Sequence, residues 1–260
     1  MRTGELRTVS IESILSESRD VWTIRYADGR RALPGQFVMV WVPGVNEVPM
    51  SLSYLGKMKG FTFRTVGKTT SVLSLMHSGD RIGVRGIFGN SFAAEEGRVL
   101  VAGGGTGIAS VVTAVEEFSR DHTVDAAIGA KSADELFFTE RIEDAAAETV
   151  VTTDDGSAGE KGLVTQAVER MMDKRRYGTL IACGPEKMLY RIAKMAHEKG
   201  VEARISVERY MKCGFGICDA CSIDGHLACV DGPVFDANVL LSTSDFGRYR
   251  LTPSGRRVSI

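Results

Sequence analysis

The sequence predicts an N-terminal antiparallel β-barrel, then a doubly wound parallel α/β sheet, then a small cysteine-rich C-terminal module. Three observations carry this. Up to about residue 96 the chain alternates apolar and polar positions in short runs, the pattern of half-buried antiparallel strands. From Arg98, apolar runs without polar alternation, which imply burial on both faces, alternate with amphipathic helical stretches. From about Glu208 that regularity gives way to a glycine-rich segment holding four of the five cysteines. The expected units are 1–96, 97–207 and 208–260.

In the first unit the strand runs are Leu6 to Ile14, Val21 to Tyr26, Phe37 to Val42, Pro49 to Tyr54 and Phe61 to Val66. Turn signals separate them at Ala27-Asp28-Gly29, Leu33-Pro34-Gly35 and Val42-Pro43-Gly44, spaced as a small barrel or sandwich needs. The second unit begins with the strand Val99 to Ala102 and a helix over Gly107 to Arg120. It continues with strands at Val124 to Gly129, Thr149 to Thr153, Thr179 to Cys183 and Ala203 to Val207. Helices are expected over Ala133 to Ala146, Leu163 to Lys174 and Glu186 to Lys199. Repeated βα units of this kind build a doubly wound sheet.

At 260 residues the chain is long enough for two domains and a small appendage. A formal net charge of -1, with 25% charged residues of both signs, offers no field for phosphate backbones or anionic lipid, so nucleic acid is not an expected partner. Met1 to Arg7 is charged rather than signal-like, and no apolar run approaches the roughly eighteen residues of a membrane span. A cytoplasmic protein is expected. There, four cysteines crowded between 213 and 229 point to metal before disulfide, while Cys183 stands alone.

Those four, Cys213, Cys218, Cys221 and Cys229, have the spacing C-x4-C-x2-C-x7-C, whose first gaps match the plant-type [2Fe-2S] pattern. Gly214 and Gly216 supply permissive backbone, so that amide N–H groups can approach sulfide. A structural zinc or unligated thiols are the competing readings, but zinc knuckles present paired C-x2-C or C-x4-C claws. With four thiolates available, His226 reads as a turn residue.

Directly after the first parallel strand, Gly103, Gly104, Gly105, Thr106 and Gly107 lead into a helix. The run departs from G-x-G-x-x-G, since Ser110 follows the Gly105-Thr106-Gly107 step. A side-chain-free turn at a helix N-terminus still suits a pyrophosphate, although glycine here also permits close helix–strand packing. Cys183 and Gly184, followed by Pro185 at a helix start, form a second turn at a strand's carboxyl end, where a nicotinamide would lie. Cys183 alone also reads as a small buried residue. Asp155, in Thr153-Asp154-Asp155-Gly156, stands either to accept ribose hydroxyls or as a solvated turn. Lys131 is the sole basic residue just after the second parallel strand and no arginine cluster marks a 2'-phosphate site, which favours NADH.

In the barrel, Pro49, Met50, Ser51, Leu52 and Ser53 place Ser51 and Ser53 on one face of a strand, suited to a flavin edge but also ordinary for sheet serines. Gly67, Thr69, Thr70 and Ser71 open a short helix with an N-cap and amide donors for a phosphate.

Taken together, the chain resembles the ferredoxin reductase superfamily over essentially its whole length. More closely, it resembles the iron-sulfur electron-transfer subunits of B-type dihydroorotate dehydrogenases. The stretches that carry this are Glu208 to Gly214 with the cluster cysteines, Cys229 to Phe235, Thr153 to Ser157, Lys161 to Thr165 and Gly86 to Phe92. The resemblance implies FAD in the barrel and NAD(H) on the second domain. It further implies an FMN-containing catalytic partner that oxidises dihydroorotate in pyrimidine biosynthesis, in a hetero-oligomer, by family pattern a heterotetramer. Electrons would pass between nicotinamide, flavin, cluster and the partner's flavin. The family's flavin strand reads Arg-Pro-x-Ser, and Val48, Pro49, Met50 and Ser51 occupy it here, without the arginine that would pair with a flavin phosphate. Arg64 and Lys68 are the nearby cations. Family glycines are replaced at Thr69 and Ser91.

No Ser-His-Asp or Cys-His set is evident among four histidines, so no catalytic acid–base residue is expected on this chain. Two other readings stand beside the main one. One is a related reductase subunit serving ferredoxin, sulfide or hydrogenase chemistry; the other is a non-catalytic scaffold with a structural zinc.

Overall fold

The computed structural model describes residues 4–260; the start of the charged N-terminal run, residues 1–3, lies outside them. Alternation does in the barrel what the pattern predicts. In β2 (Val21–Ala27) and β5 (Met58–Arg64), Ile24, Tyr26, Phe61 and Phe63 fill the interior, while Thr23, Thr62 and Arg64 face outward. With β1 (Arg7–Ser18), β3 (Phe37–Val42), β4 (Asn46–Tyr54) and β6 (Arg81–Phe88) they close in the order β1-β2-β5-β4-β3-β6. A short helix, α1 (Lys68–Ser74), bridges β5 and β6. Strand β6 is absent from the sequence-based expectation because Gly83 and Gly86 interrupt its alternation.

One end of the barrel is closed by charge. The Asp28 carboxylate, almost fully buried, accepts from Arg7 at 2.6 Å and from Arg30 at 2.7 Å. Beside it the buried Lys59 ammonium donates to the carbonyls of Leu55 and Gly56, each at 2.8 Å. Four ionic groups, Asp28, Arg7, Arg30 and Lys59, there replace an apolar plug.

The second unit is a seven-stranded sheet in the order β10-β9-β8-β7-β11-β12-β15. Its strands are β7 (Val99–Gly104), β8 (Val124–Ala130), β9 (Glu148–Thr153), β10 (Glu160–Lys161), β11 (Thr179–Cys183) and β12 (Glu202–Ser206), all parallel. Helix α2 (Ile108–Phe118) packs on one face, facing the barrel, and α4 (Val164–Lys174) and α5 (Glu186–Lys199) on the other. The helix expected over 133–146 is shorter: α3 (Thr139–Ala145) begins only after Phe138, whose left-handed backbone (φ 58°) lets Phe137 and Phe138 both turn into the core.

The cysteine segment is not a separate body. Two short hairpin strands, β13 (Ser222–Ile223) and β14 (His226–Leu227), lead to β15 (Val234–Asp236), which joins the sheet antiparallel to β12. Helix α6 (Ala237–Ser242) then packs on α5, and β16 (Tyr249–Leu251) and β17 (Arg257–Ser259) form a terminal hairpin. Cys221, Ile223, Ala228 and Cys229 share one apolar core with sheet residues and with Phe37 and Met39 of the barrel.

Among the described residues no helix is long and apolar enough to cross a membrane.

The Asp28 cluster makes the barrel acid-sensitive. Burial by itself would raise the carboxyl, but the bonds from Arg30 and Arg7 outweigh it and hold it at about 2. A folded value below the ordinary one means stabilisation that is complete above the normal carboxylate range and is lost as pH falls through about 2. Denaturant titrations between about pH 5 and pH 2 should therefore show a steeper loss in the wild type than in Asp28→Asn, which is less stable at neutral pH.

Candidate functional site at the barrel–sheet crevice and the cysteine loop

The strand order reverses between β7 and β11, which pair Gly103 with Cys183, and the helices that follow leave to opposite faces of the sheet. Such a reversal opens a crevice at the carboxyl ends of the strands. Gly107 closes its floor: a Cβ there would lie 2.3 Å from the Cys183 carbonyl, so only glycine lets the two turns meet.

Two cavities open from this point. The first, about 550 Å³, is lined by Gly104, Gly105 and Thr106 of the glycine turn, by Asp154 beyond β9, and by a group of cations. Those cations are Arg64 at the end of β5, Lys131 just after β8, and Lys187 and Arg191 on successive turns of α5. Local spacing reveals only Lys131. Asp155 is not on this wall. Its carboxylate bonds the Ser157 amide at 2.9 Å and hydroxyl at 2.6 Å, and neighbouring Asp154 is the acid that lines the cavity.

The second cavity, about 400 Å³, runs along the barrel face of the crevice. Val48, Pro49, Met50 and Ser51 of β4 line it with Thr62, Thr70 and Cys183. Leu52 points the other way, into the barrel. Ser53 faces outward, as alternation requires, but its hydroxyl lies 2.8 Å from that of Thr62, which also meets Thr23 at 2.7 Å. Thr70 receives the amides of Val66 and Gly67 at 3.0 and 3.1 Å; Thr69 is buried, and Ser71 donates its amide to the Gly67 carbonyl. Gly103 lies under α2 rather than on either wall, and Gly184 packs against the Gly104 carbonyl. Burial pushes the Cys183 thiol up to about 12, with the Glu208 charge adding to it. That thiol stays neutral.

Arg64 and Thr106 line both cavities. Arg64 donates to Glu135 at 2.8 Å through Nη1, while its Nε and Nη2 are buried without a hydrogen-bond partner. Its guanidinium lies between two carboxylates, Glu135 and Asp20, the latter 3.6 Å from Nε. Lys68 is exposed on α1 and lines neither cavity. Glu208 is the other residue that sequence spacing missed. It lines the second cavity with an exposed side chain, near Cys183 and Arg209 on the same wall. Its place directly after a parallel strand is the signal that marks it.

Met211 also lines the second cavity, and two residues later the chain enters the cysteine loop. Cys213 lies beside Cys218 and Cys221 beside Cys229, and Cys213 is also near enough for its charge to act on Cys229. Burial alone would raise Cys213, but the backbone N–H groups of Phe215, Ile217 and Cys218 outweigh it and hold the thiol low. The Gly216 amide points to Cys229 in the same way, although burial and the facing Cys221 keep that thiol high. Two sulfur pairs ringed by inward amides fit a dinuclear cluster, which takes two thiolates at each iron.

The matches with known proteins follow this geometry. Residues 208–241 match the family model described as the iron-sulfur cluster binding domain of dihydroorotate dehydrogenase B, and residues 100–194 match the oxidoreductase NAD-binding domain. The chain is 41% identical over 253 residues to a probable dihydroorotate dehydrogenase B (NAD(+)) electron transfer subunit of Thermoplasma acidophilum. That alignment covers 97% of this chain and 98% of the relative. This chain belongs to that family of electron transfer subunits. A member from Methanocaldococcus jannaschii is 38% identical over 251 residues, covering 95% of this chain and 96% of its own. Among solved structures, an NADH-dependent reduced ferredoxin-NADP oxidoreductase superposes with a TM-score of 0.83 at 30% identity, covering 92% of this chain and 90% of that one. A ferredoxin NADP+ reductase from Neisseria gonorrhoeae, at 15% identity and a TM-score of 0.64, covers 75% of this chain and 92% of its own and shares the fold. The family's iron-sulfur and NAD-binding domains thus coincide with the cysteine loop and the glycine turn.

The two glycines of that turn should respond differently to alanine. Gly105 has a left-handed backbone (φ 52°) but open space around it, so Gly105→Ala should cost only about 1 kcal/mol. Gly107→Ala drives a methyl into the Cys183 carbonyl and should cost roughly 1–3 kcal/mol, measured by denaturant unfolding.

Proposed function

We propose that this chain carries electrons between NAD(H) and a catalytic partner subunit that holds FMN and interconverts dihydroorotate and orotate in pyrimidine biosynthesis. FAD is assigned to the crevice and a [2Fe-2S] cluster to the cysteine loop. The observation that carries the reading is the continuity of the two sites: Met211 lines the crevice, and Cys213 follows within the same packed segment.

When bound, the nicotinamide supplies a hydride, the flavin links two-electron to one-electron transfer, and the cluster moves single electrons. The protein's part is binding, orientation and dryness. In this reading Ser51, which lines the second cavity, holds the flavin edge, and Gly104 to Thr106 receive a nucleotide pyrophosphate. Asp154 is placed for ribose hydroxyls. In this reading Arg64, the cation that lines both cavities, takes over the phosphate-binding duty that Val48 cannot perform. Proton transfer on dihydroorotate is assigned to the partner. A heterotetramer of two chains of each kind is the assembly the family pattern suggests.

A second reading, reduction of a ferredoxin, is favoured by the likeness to the ferredoxin-NADP oxidoreductase structure. The assay that separates them mixes this chain with the catalytic subunit and follows dihydroorotate-dependent NAD+ reduction. Activity with ferredoxin but none with dihydroorotate would replace the main reading. Purified protein should show flavin and iron-sulfur absorption; in Cys218→Ser the cluster bands and the relay should be lost, while NADH still reduces a two-electron dye. NADPH should react more slowly than NADH at equal concentration.

Arg64→Leu should weaken flavin retention on gel filtration by at least about tenfold in Kd, the scale of one charge-assisted phosphate bond. An unchanged Kd would remove Arg64 from the phosphate site.

A further inference from the structure

Between the barrel and the cysteine loop lies a largely buried ion pair that the relay described above leaves unused. Arg85 of β6 sits opposite Met39 in the sheet register, and Glu47, at the start of β4, sits opposite Trp41 of the same strand. Arg85 donates to Glu47 through two parallel bonds, Nε to Oε1 at 2.7 Å and Nη2 to Oε2 at 2.6 Å. The same Nη2 donates at 2.9 Å to the backbone carbonyl of Cys213. Only 14% of the Arg85 side chain and 21% of the Glu47 side chain is exposed.

The guanidinium also lies over aromatic rings, 5.6 Å from the centre of Phe215 in the loop and 5.7 Å from that of Phe88 in the barrel. Gly214, between Cys213 and Phe215, is seated against Met39. The first turn of the cysteine loop is therefore fastened to the barrel through one cation. A simple surface ion pair would need neither the carbonyl nor the rings.

The geometry points to Arg85 as a positioning residue that fastens the cluster loop to the flavin barrel and, together with Glu47, sets the reduction potential of the cluster. The inference rests on the proposed cluster at Cys213, Cys218, Cys221 and Cys229. Reduction adds one electron, and so one negative charge, to that centre. A half-buried cation tied to a ligand residue favours the added charge, and a carboxylate beside it opposes the addition. Because Arg85 touches Cys213 and Glu47 reaches it only through Arg85, the cation is the nearer of the two charges.

Opposite charges in one pair make opposite predictions. A mediated titration of the full-length chain, with dithionite supplying one electron per cluster and EPR reporting the reduced cluster, reads the potential directly. Arg85→Gln should lower the reduced-to-oxidised ratio at a fixed potential at least tenfold, which for one electron is about 59 mV. Glu47→Gln should raise the ratio. Arg85→Lys, which keeps the charge and loses the planar fork, should stay closer to the wild type than Arg85→Gln. Flavin potential and content should be unchanged in all three. Backbone hydrogen exchange over residues 213–218 should quicken in Arg85→Gln, and less in Arg85→Lys.

An intact cluster whose potential does not move, or moves the same way in Arg85→Gln and Glu47→Gln, overturns the inference and leaves the proposed function standing. If Arg85→Gln fails to retain a cluster, Glu47→Gln decides, and an unshifted or lowered potential there overturns it. Wild-type protein without iron, sulfide or an EPR signal on reduction would bring down the functional reading and this inference together.

Discussion

The pairing of β7 with β11 is the constraint on which the rest of the molecule depends. It sets the Gly103 and Cys183 backbones side by side, and the chain then departs to α2 on one face and α5 on the other. A crevice has to open where two parallel strands diverge in this way. Gly107 against the Cys183 carbonyl fixes how closely its two turns approach. The barrel closes the crevice because α2, rooted in the same turn, packs against β4.

From that constraint follows the placing of the cysteine loop. Strand β15 adds to the sheet beside β12, and the segment between them has to fold back over Phe37 and Met39 of the barrel. Cys221 and Cys229 are thereby buried in the core that supports the sheet, while Cys218 remains at the surface. The loop thus spans from the core of the sheet to the surface at a fixed distance. Ordered packing rather than a flexible tether sets that distance.

The charged groups divide by role. Asp28 with Arg7 and Arg30 is saturated by its partners and closes a barrel end. Asp125, fully buried at the start of β8, is likewise satisfied, by Arg98 at 2.7 Å and by the Tyr177 hydroxyl at 2.7 Å. Arg64, paired with Glu135 and Asp20, differs in lining both cavities. Saturated ions away from the crevice hold the fold together, whereas a cation on the wall of two cavities is within reach of a ligand.

The cysteine spacing, the barrel alternation and the βα repeats were legible in the sequence, because ligand spacing and side-chain periodicity are local properties of the chain. Periodicity failed where glycine replaced the signal, in β6, and where Phe138 broke an apparently continuous helix. Choosing between Asp154 and Asp155 lay beyond it, since one residue of register at the end of β9 turns one carboxylate to the cavity and the other to Ser157. The gathering of Arg64, Lys131, Lys187 and Arg191, and the fastening of Cys213 by Arg85, were decided by tertiary structure alone. Apart from Lys187 and Arg191, neighbours on α5, these groups are far apart in the chain and meet only because the fold brings their elements together. The chemistry of the four cysteines was therefore written in their spacing, whereas their position in a circuit came from the packing of barrel on sheet.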